Sequence, residues 1–278
     1  MKAAAPADQR TLAPPERRLA RVTGVERLGA YRLLSVLDAD GPTDPRPGQF
    51  YMLAAEHGWG GGADERPYLP RAFSHARASA APDGLGLQFL LEDVGPGTHR
   101  LSELSPGDGL WLLGPLGIGF RAPAPGARPL LVGGGIGAAP ILCLQNELPK
   151  ARALLGFRGA EHAQAAALFA GDPHIATDDG SVGRRELVTE ALARALDSEP
   201  RASVYACGPP AMLEAVRALC SGRGVPAQLA LESGMACGYG ACFGCVVPTR
   251  EGYVRLCVDG PVLDAAALET ALFPGAGH

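Results

Sequence analysis

Apolar and polar positions change rhythm twice along this chain. Leu85, Leu87, Phe89 and Leu91 alternate with Gly86, Gln88 and Leu90, the period-two pattern of a strand with one well-buried face. Leu110–Leu113 forms another short run between Gly109 and Gly114. Turn pairs such as Pro47-Gly48, Pro82-Asp83-Gly84, Pro96-Gly97 and Pro106-Gly107 punctuate the segment from Leu19 to Phe120. With no sustained helical period, that segment reads as a small antiparallel barrel or sandwich.

Beyond Pro125 the texture becomes alternating strand and helix, the mark of a parallel nucleotide-binding sheet. Leu130-Leu131-Val132 runs into glycines and then a helical stretch from about Pro140 to Leu148. Ala153–Phe157 and Val204–Cys207 read as further strands. Leu187, Val188, Ala191, Leu192, Ala195 and Leu196 recur at helical spacing. Pro209-Pro210 opens another helix carrying Leu213, Val216 and Leu219, closed by Gly222 or Gly224. From about Leu229 the chain is rich in cysteine and glycine. The expected organisation is a lead-in at 1–16, an antiparallel domain at 17–125, a Rossmann-like α/β domain at 126–228 and a small module at 229–278.

Composition narrows the function classes. The 278 residues are 47% hydrophobic and 19% charged, enough apolar material for packed cores, which excludes bulk disorder. A net charge of −4 gives no footprint for nucleic acid or an anionic membrane. No apolar run is long enough to span a bilayer, and residues 1–16 lack the apolar centre of an export signal, so a cytoplasmic setting is expected. The six histidines form no HxxH or HExxH pattern.

Four of the seven cysteines, Cys237, Cys242, Cys245 and Cys257, cluster with C-x4-C-x2-C-x11-C spacing. Thiolates suit iron–sulfur clusters and zinc, and a C-x4-C-x2-C run with a distant fourth cysteine is the plant-type 2Fe–2S arrangement. A zinc staple is the alternative, although its usual form is two separated short pairs. Cys143 and Cys220 fall on expected helices and read as buried thiols.

Gly133, Gly134, Gly135, Ile136 and Gly137, ahead of Ala138, fit G-x-G-x-x-A between a strand and a helix, where backbone N–H groups can approach a pyrophosphate. Cys207, Gly208 and Pro209 end a later strand, the side on which ligands bind in open α/β sheets, and Cys207 is a candidate to face a nicotinamide. In the first domain, Arg71, Ala72, Phe73 and Ser74 bring a cation, a ring and a hydroxyl together, and Gly97 and Thr98 offer an N–H and a hydroxyl for a phosphate.

The order of these signals resembles the ferredoxin–NADP reductase superfamily over about residues 19–225. Arg71–Ser74 is similar to its R-x-[FY]-S flavin motif, Gly133–Pro140 and Cys207–Met212 to its GGGIGxxP and CGPxxM pyridine-nucleotide motifs, and Thr177–Ser181 to another nucleotide-side segment. The tail from Glu232 to Val246, with Cys257–Val262, closely resembles electron-transfer subunits of bacterial class 1B dihydroorotate dehydrogenases. The resemblance implies an FAD-binding β-barrel, a Rossmann-like NAD domain and a 2Fe–2S module. It implies electrons passing from an FMN catalytic subunit through cluster and FAD to NAD in pyrimidine biosynthesis, in a heterotetramer of two of each subunit. A related sulfhydrogenase or ferredoxin:NADP oxidoreductase subunit is the alternative. By the same resemblance Leu91, Glu92 and Asp93 join the flavin contacts and Asp179 the nucleotide contacts. Glu92 departs from the family, which has a basic residue there, and the Gly58–Pro67 insert looks longer than usual.

Overall fold

The computed structural model describes residues 16–60 and 67–276. The expected lead-in and the middle of the Gly58–Pro67 insert therefore lie outside the described residues.

Six strands close the first domain into an antiparallel barrel: β1 (Arg18–Leu28), β2 (Tyr31–Asp38), β3 (Phe50–Ala55), β4 (Arg71–Ala81), β5 (Gly84–Glu92) and β6 (Gly109–Leu116), in the order β1-β2-β5-β4-β3-β6. Closure leaves no free edge, which settles the sequence ambiguity between barrel and sandwich. The expected alternation holds: Leu85, Leu87, Phe89 and Leu91 fill the interior with Leu34, Val36, Leu53, Leu110 and Leu112. A short helix that the sequence pattern does not announce, α1 (Pro96–Ser102), links β5 to β6. One ion pair is sealed in the barrel: Arg18 donates to Asp38 at 2.8 Å and to the Gly114 carbonyl at 2.7 Å.

The second half builds a seven-stranded sheet. Its elements are β7 (Arg128–Gly134), α2 (Ala138–Glu147), β8 (Arg152–Phe157), α3 (Ala160–Ala163), β9 (His174–Thr177), β10 (Arg184–Arg185), α4 (Val188–Ser198), β11 (Ala202–Cys207), α5 (Pro210–Arg223) and β12 (Ala227–Ala230). Strand order is β10-β9-β8-β7-β11-β12, with all of these pairs parallel, and β15 (Val262–Asp264) then adds antiparallel to β12. Central β11 is buried along its whole length, as a strand covered on both faces must be. α5 ends on Gly224, whose φ of 64° is the left-handed cap that glycine accepts without strain.

The tail is woven into this sheet. The expected boundary after residue 228 falls inside β12, and β15 comes from the cysteine-rich segment. Between them lie β13 (Val246–Thr249), β14 (Gly252–Arg255) and α6 (Leu256–Asp259), the first two paired as a hairpin. Cys245, Val247, Leu256 and Cys257 share one apolar core with Val132, Val204 and Leu229 of the sheet and Phe50 and Met52 of the barrel. Among the described residues no helix is long and apolar enough to cross a membrane.

Candidate functional site: two adjoining cavities and a cysteine loop

A cavity of about 600 Å³ opens where all three regions meet. The barrel contributes Arg71–Ser74, Glu92 and the Gly95–Thr98 turn; the sheet domain contributes Ile136, Ala139 and Pro140; the tail contributes Leu231–Ala236 and Gly244. Arg71 is held by its own strand start, donating to the Leu69 carbonyl, with its guanidinium 5.8 Å from the Trp59 ring centre. A Cβ on Gly97 would lie 2.4 Å from Arg71 Nε, so only glycine lets that cation lie across the turn. The cavity thus presents an arginine with no carboxylate partner among the described residues, a half-buried Phe73 and a bare turn, groups that suit an anionic ligand with an aromatic ring. The Thr98 hydroxyl, which lines this cavity, also has a structural task. It accepts from the Val94 and Gly95 N–H groups and donates to the Gly95 carbonyl, which fixes the turn from within.

A second cavity of about 450 Å³ lies at the C-terminal ends of the sheet strands. Gly134, Gly135 and Ile136 form one wall, Gly208, Pro209 and Met212 another, and Phe157, Arg158, Asp178 and Thr189 a third. This is the place where open parallel sheets bind nucleotides. The glycines are needed for close packing: a Cβ on Gly208 would lie 2.5 Å from Met212 Cε and 3.0 Å from Gly134 Cα. Glu92, Ile136 and Glu232 line both cavities, so the two are neighbours. Burial raises the Glu232 carboxyl above the usual range, and burial with Glu232 nearby raises the Cys207 thiol.

Behind the first cavity the chain turns through the cysteine loop. Gly238 and Gly240, with φ of 80° and 90°, and Phe243, at 59°, curl the backbone around the sulfurs. A Cβ on Gly238 would press to 2.5 Å from Met52 Cγ, so the loop sits directly on the barrel. Cys245 and Cys257 are buried with sulfurs 3.2 Å apart, whereas Cys237 is half-buried and Cys242 exposed. Burial opposes ionisation of Cys237, but backbone N–H groups of Cys242, Tyr239 and Ala241 outweigh it and bring this thiol down to about 6. Burial, then Cys245, pushes Cys257 up to about 12. Among the described residues no three His, Cys, Asp or Glu side chains converge on one point. Cys237, Cys242 and Cys245 follow one loop and Cys257 returns beside Cys245 on α6, with N–H groups of Gly244 and Cys257 directed at Cys242 and Cys245 at 3.4 Å. Four thiols with amide donors aimed at sulfur suit an iron–sulfur centre, whose thiolate charge such donors offset.

Residues 232–269 match the family described as the iron–sulfur cluster binding domain of dihydroorotate dehydrogenase B. The chain is 36% identical to the dihydroorotate dehydrogenase B (NAD(+)) electron transfer subunit of Desulforamulus reducens, over 78% of this chain and 84% of that one. It is 45% identical to the subunit of the same name from Bacillus caldolyticus, over 70% and 85%. The chain belongs to this family. Its fold is also that of a chain from the NADH-dependent reduced ferredoxin–NADP oxidoreductase structure, with a TM-score of 0.76 at 24% identity over 91% and 90% of the two chains.

Within this electron transfer subunit fold, the residues singled out in the sequence fall into two groups. Arg71, Ala72, Phe73, Ser74, Glu92, Gly97, Thr98, Gly134, Gly135, Ile136, Gly208 and Pro209 line one cavity or both. The others line neither cavity. Leu91 is buried in the barrel, and Asp93 pairs with His99 at 2.9 Å. Gly133 packs under Ala138 and Leu155, and Gly137 against the Cys207 carbonyl. Cys207 itself is buried at the strand end. Asp179 accepts from both the N–H and the hydroxyl of Ser181, which hold its carboxyl below the usual range. Its neighbour Asp178 is the one that lines the nucleotide-side cavity, together with Tyr31, His162 and Glu186. No local sequence pattern distinguishes these from ordinary surface and barrel residues.

Proposed function

We propose that this chain is the electron-transfer subunit of a class 1B dihydroorotate dehydrogenase, holding FAD in the 600 Å³ cavity, NAD in the adjoining one and a 2Fe–2S cluster on Cys237, Cys242, Cys245 and Cys257. The observation that carries this reading is the shared wall: the segment leading into the cysteine loop lines the same cavity as Arg71–Ser74. Bound together, these groups carry electrons singly at the cluster and in pairs at nicotinamide, with flavin able to do both.

The protein's own residues bind, orient and insulate. Arg71 meets the flavin phosphates, the space beside it kept open by Gly97, while Ala72, Phe73 and Ser74 flank the ring system. Leu91, Glu92 and Asp93 complete that side of the cradle, Leu91 through core packing and Asp93 through its exposed pair with His99. Gly133–Gly137 and Gly208-Pro209 receive the nucleotide, with Cys207 buried behind them and the exposed Asp179 holding Ser181 beside the cavity-lining Asp178. Ile136 and Glu232 separate the two cavities without closing them from one another. No acid–base residue is required of this subunit, since the redox chemistry belongs to the cofactors.

The partner is an FMN-bearing catalytic subunit, two of each forming a heterotetramer. The exposed face around Cys242, with Tyr239, Phe243 and Tyr253 all more than half exposed, is the side that would meet it. Rings of this kind are enriched at interfaces. The domains proposed are the barrel at 17–125, the nucleotide unit at 126–228 and the cluster module at 229–278, the last sharing the sheet of the second.

The test is anaerobic NADH titration of the protein purified with its partner, followed by visible spectra and EPR, and repeated on Cys242→Ser. The wild type should show flavin reduction and a reduced 2Fe–2S signal, and the variant should lose that signal. Stoichiometric flavin with neither iron nor acid-labile sulfide would overturn the reading.

A further inference from the structure

The nucleotide-side cavity contains a conflict that its residue types alone do not resolve. Arg158 follows β8, the second strand of the parallel sheet, where a carboxylate commonly reads a ribose 2′-hydroxyl and an arginine a 2′-phosphate. It is the only arginine or lysine among the described residues lining the cavity. By type, Arg158 would favour a 2′-phosphorylated nucleotide.

Its surroundings argue the opposite. Arg158 Nη2 lies 3.7 Å from Glu92 Oε1, the oxygen that His162 Nε2 also meets at 3.1 Å. Glu92 is the last residue of β5, so the barrel supplies a carboxylate to a cavity walled mostly by the sheet domain. Three further carboxylates, Asp178, Glu186 and Glu232, line the same cavity. Glu186 is already engaged by Arg194 and His174, at 2.6 Å each. Asp178 makes no side-chain hydrogen bond or ion pair with another described residue and is free to accept from a ribose hydroxyl.

We propose that Glu92 is a specificity-determining residue: paired with Arg158 across the domain junction, it withholds that arginine from a 2′-phosphate, so the site selects dinucleotides with a free 2′-hydroxyl. This rests on the reading of that cavity as the NAD site. A 2′-phosphate would have to draw Arg158 away from Glu92 before that arginine could receive it. Because the Arg158 side chain is 73% exposed, the effect is one of modest discrimination at a single position.

The experiment is calorimetric titration of the complete FAD-loaded complex with 5′-ADP and with 2′,5′-ADP. Glu92→Gln removes the charge and retains a hydrogen-bonding group opposite His162. The preference for 5′-ADP over 2′,5′-ADP should fall by roughly three- to tenfold in Glu92→Gln. In an Arg158→Ala background the same substitution should leave that ratio unmoved. An unchanged ratio in Glu92→Gln overturns the proposal, as does a shift that persists without Arg158. If the wild type binds neither nucleotide, the assignment of the cavity fails first and takes the proposal with it. Flavin content and circular dichroism of each variant establish that it is folded.

Discussion

Cys245 and Cys257 stand sulfur to sulfur at 3.2 Å, although twelve positions separate them in the chain. The β13–β14 hairpin folds that distance away: Val246 pairs with Arg255 at its open end, and the Leu256 N–H donates to the Cys245 carbonyl. Half of the proposed ligand set is thereby organised by ordinary strand pairing and core packing. Cys237 and Cys242 depend instead on the looser glycine-containing loop.

Replacing Cys257 by serine should remove iron and acid-labile sulfide while leaving bound flavin near wild-type levels, because the flavin cradle is built from other residues. Metal analysis and the visible spectrum check this. Cys220→Ser, a buried thiol on α5 outside the loop, should keep its iron.

Gly97 and Gly137 are both crowded, but the crowding has different consequences. At Gly97 a methyl meets the mobile end of Arg71, which can swing aside. Gly97→Ala should therefore lower flavin affinity about tenfold with little change in stability, since one charge-assisted contact is displaced. At Gly137 the methyl would lie 2.4 Å from the Cys207 carbonyl oxygen, which is backbone. Gly137→Ala should destabilise the sheet domain by about 1–3 kcal/mol, measured by thermal unfolding of matched samples.

The buried Arg18–Asp38 pair gives a stability test remote from the cofactors. Asp38→Ala leaves a guanidinium inside the barrel with only the Gly114 carbonyl to receive it. The expected loss is about 3–5 kcal/mol in urea unfolding.

His75 follows the Arg71–Ser74 segment and is fully buried, its ring 5.9 Å from that of Tyr51 in an edge-on contact. Desolvation lowers its pKa from 6.5 to about 4. The unfolded chain therefore takes up a proton between these values while the folded chain does not. Its contribution is intact above pH 6.5 and is lost progressively as pH falls toward 4, by about 3 kcal/mol in all. His75→Gln should flatten the stability-against-pH curve in that window relative to wild type. A curve of unchanged slope would contradict the assignment.

The sequence carried the cysteine spacing, the arginine and ring of Arg71–Ser74, the glycine loop and the change from barrel to sheet. These were legible because each is a local pattern whose chemistry depends on neighbours in the chain. What residue type does not show is set by how the chain turns and by what it brings together. Asp178 and Asp179 are alike as types, but Asp178 lines the nucleotide-side cavity while the Asp179 carboxyl accepts from Ser181 two positions on. Thr98 lines the first cavity and its hydroxyl also holds its own turn. The role of Glu92 is visible only once β5 and the segment after β8 meet across two domains.

The return of β15 beside β12 makes the iron-binding tail part of the dinucleotide fold rather than a cartridge fastened to its end. Cutting the chain after residue 228 would strip the outer rail from the sheet and open one wall of the flavin chamber. Transplanting the tail onto another reductase would likewise demand a host whose last strand offers the same hydrogen-bonding edge. In this architecture, electrical connection and mechanical closure are supplied by a single stretch of polypeptide.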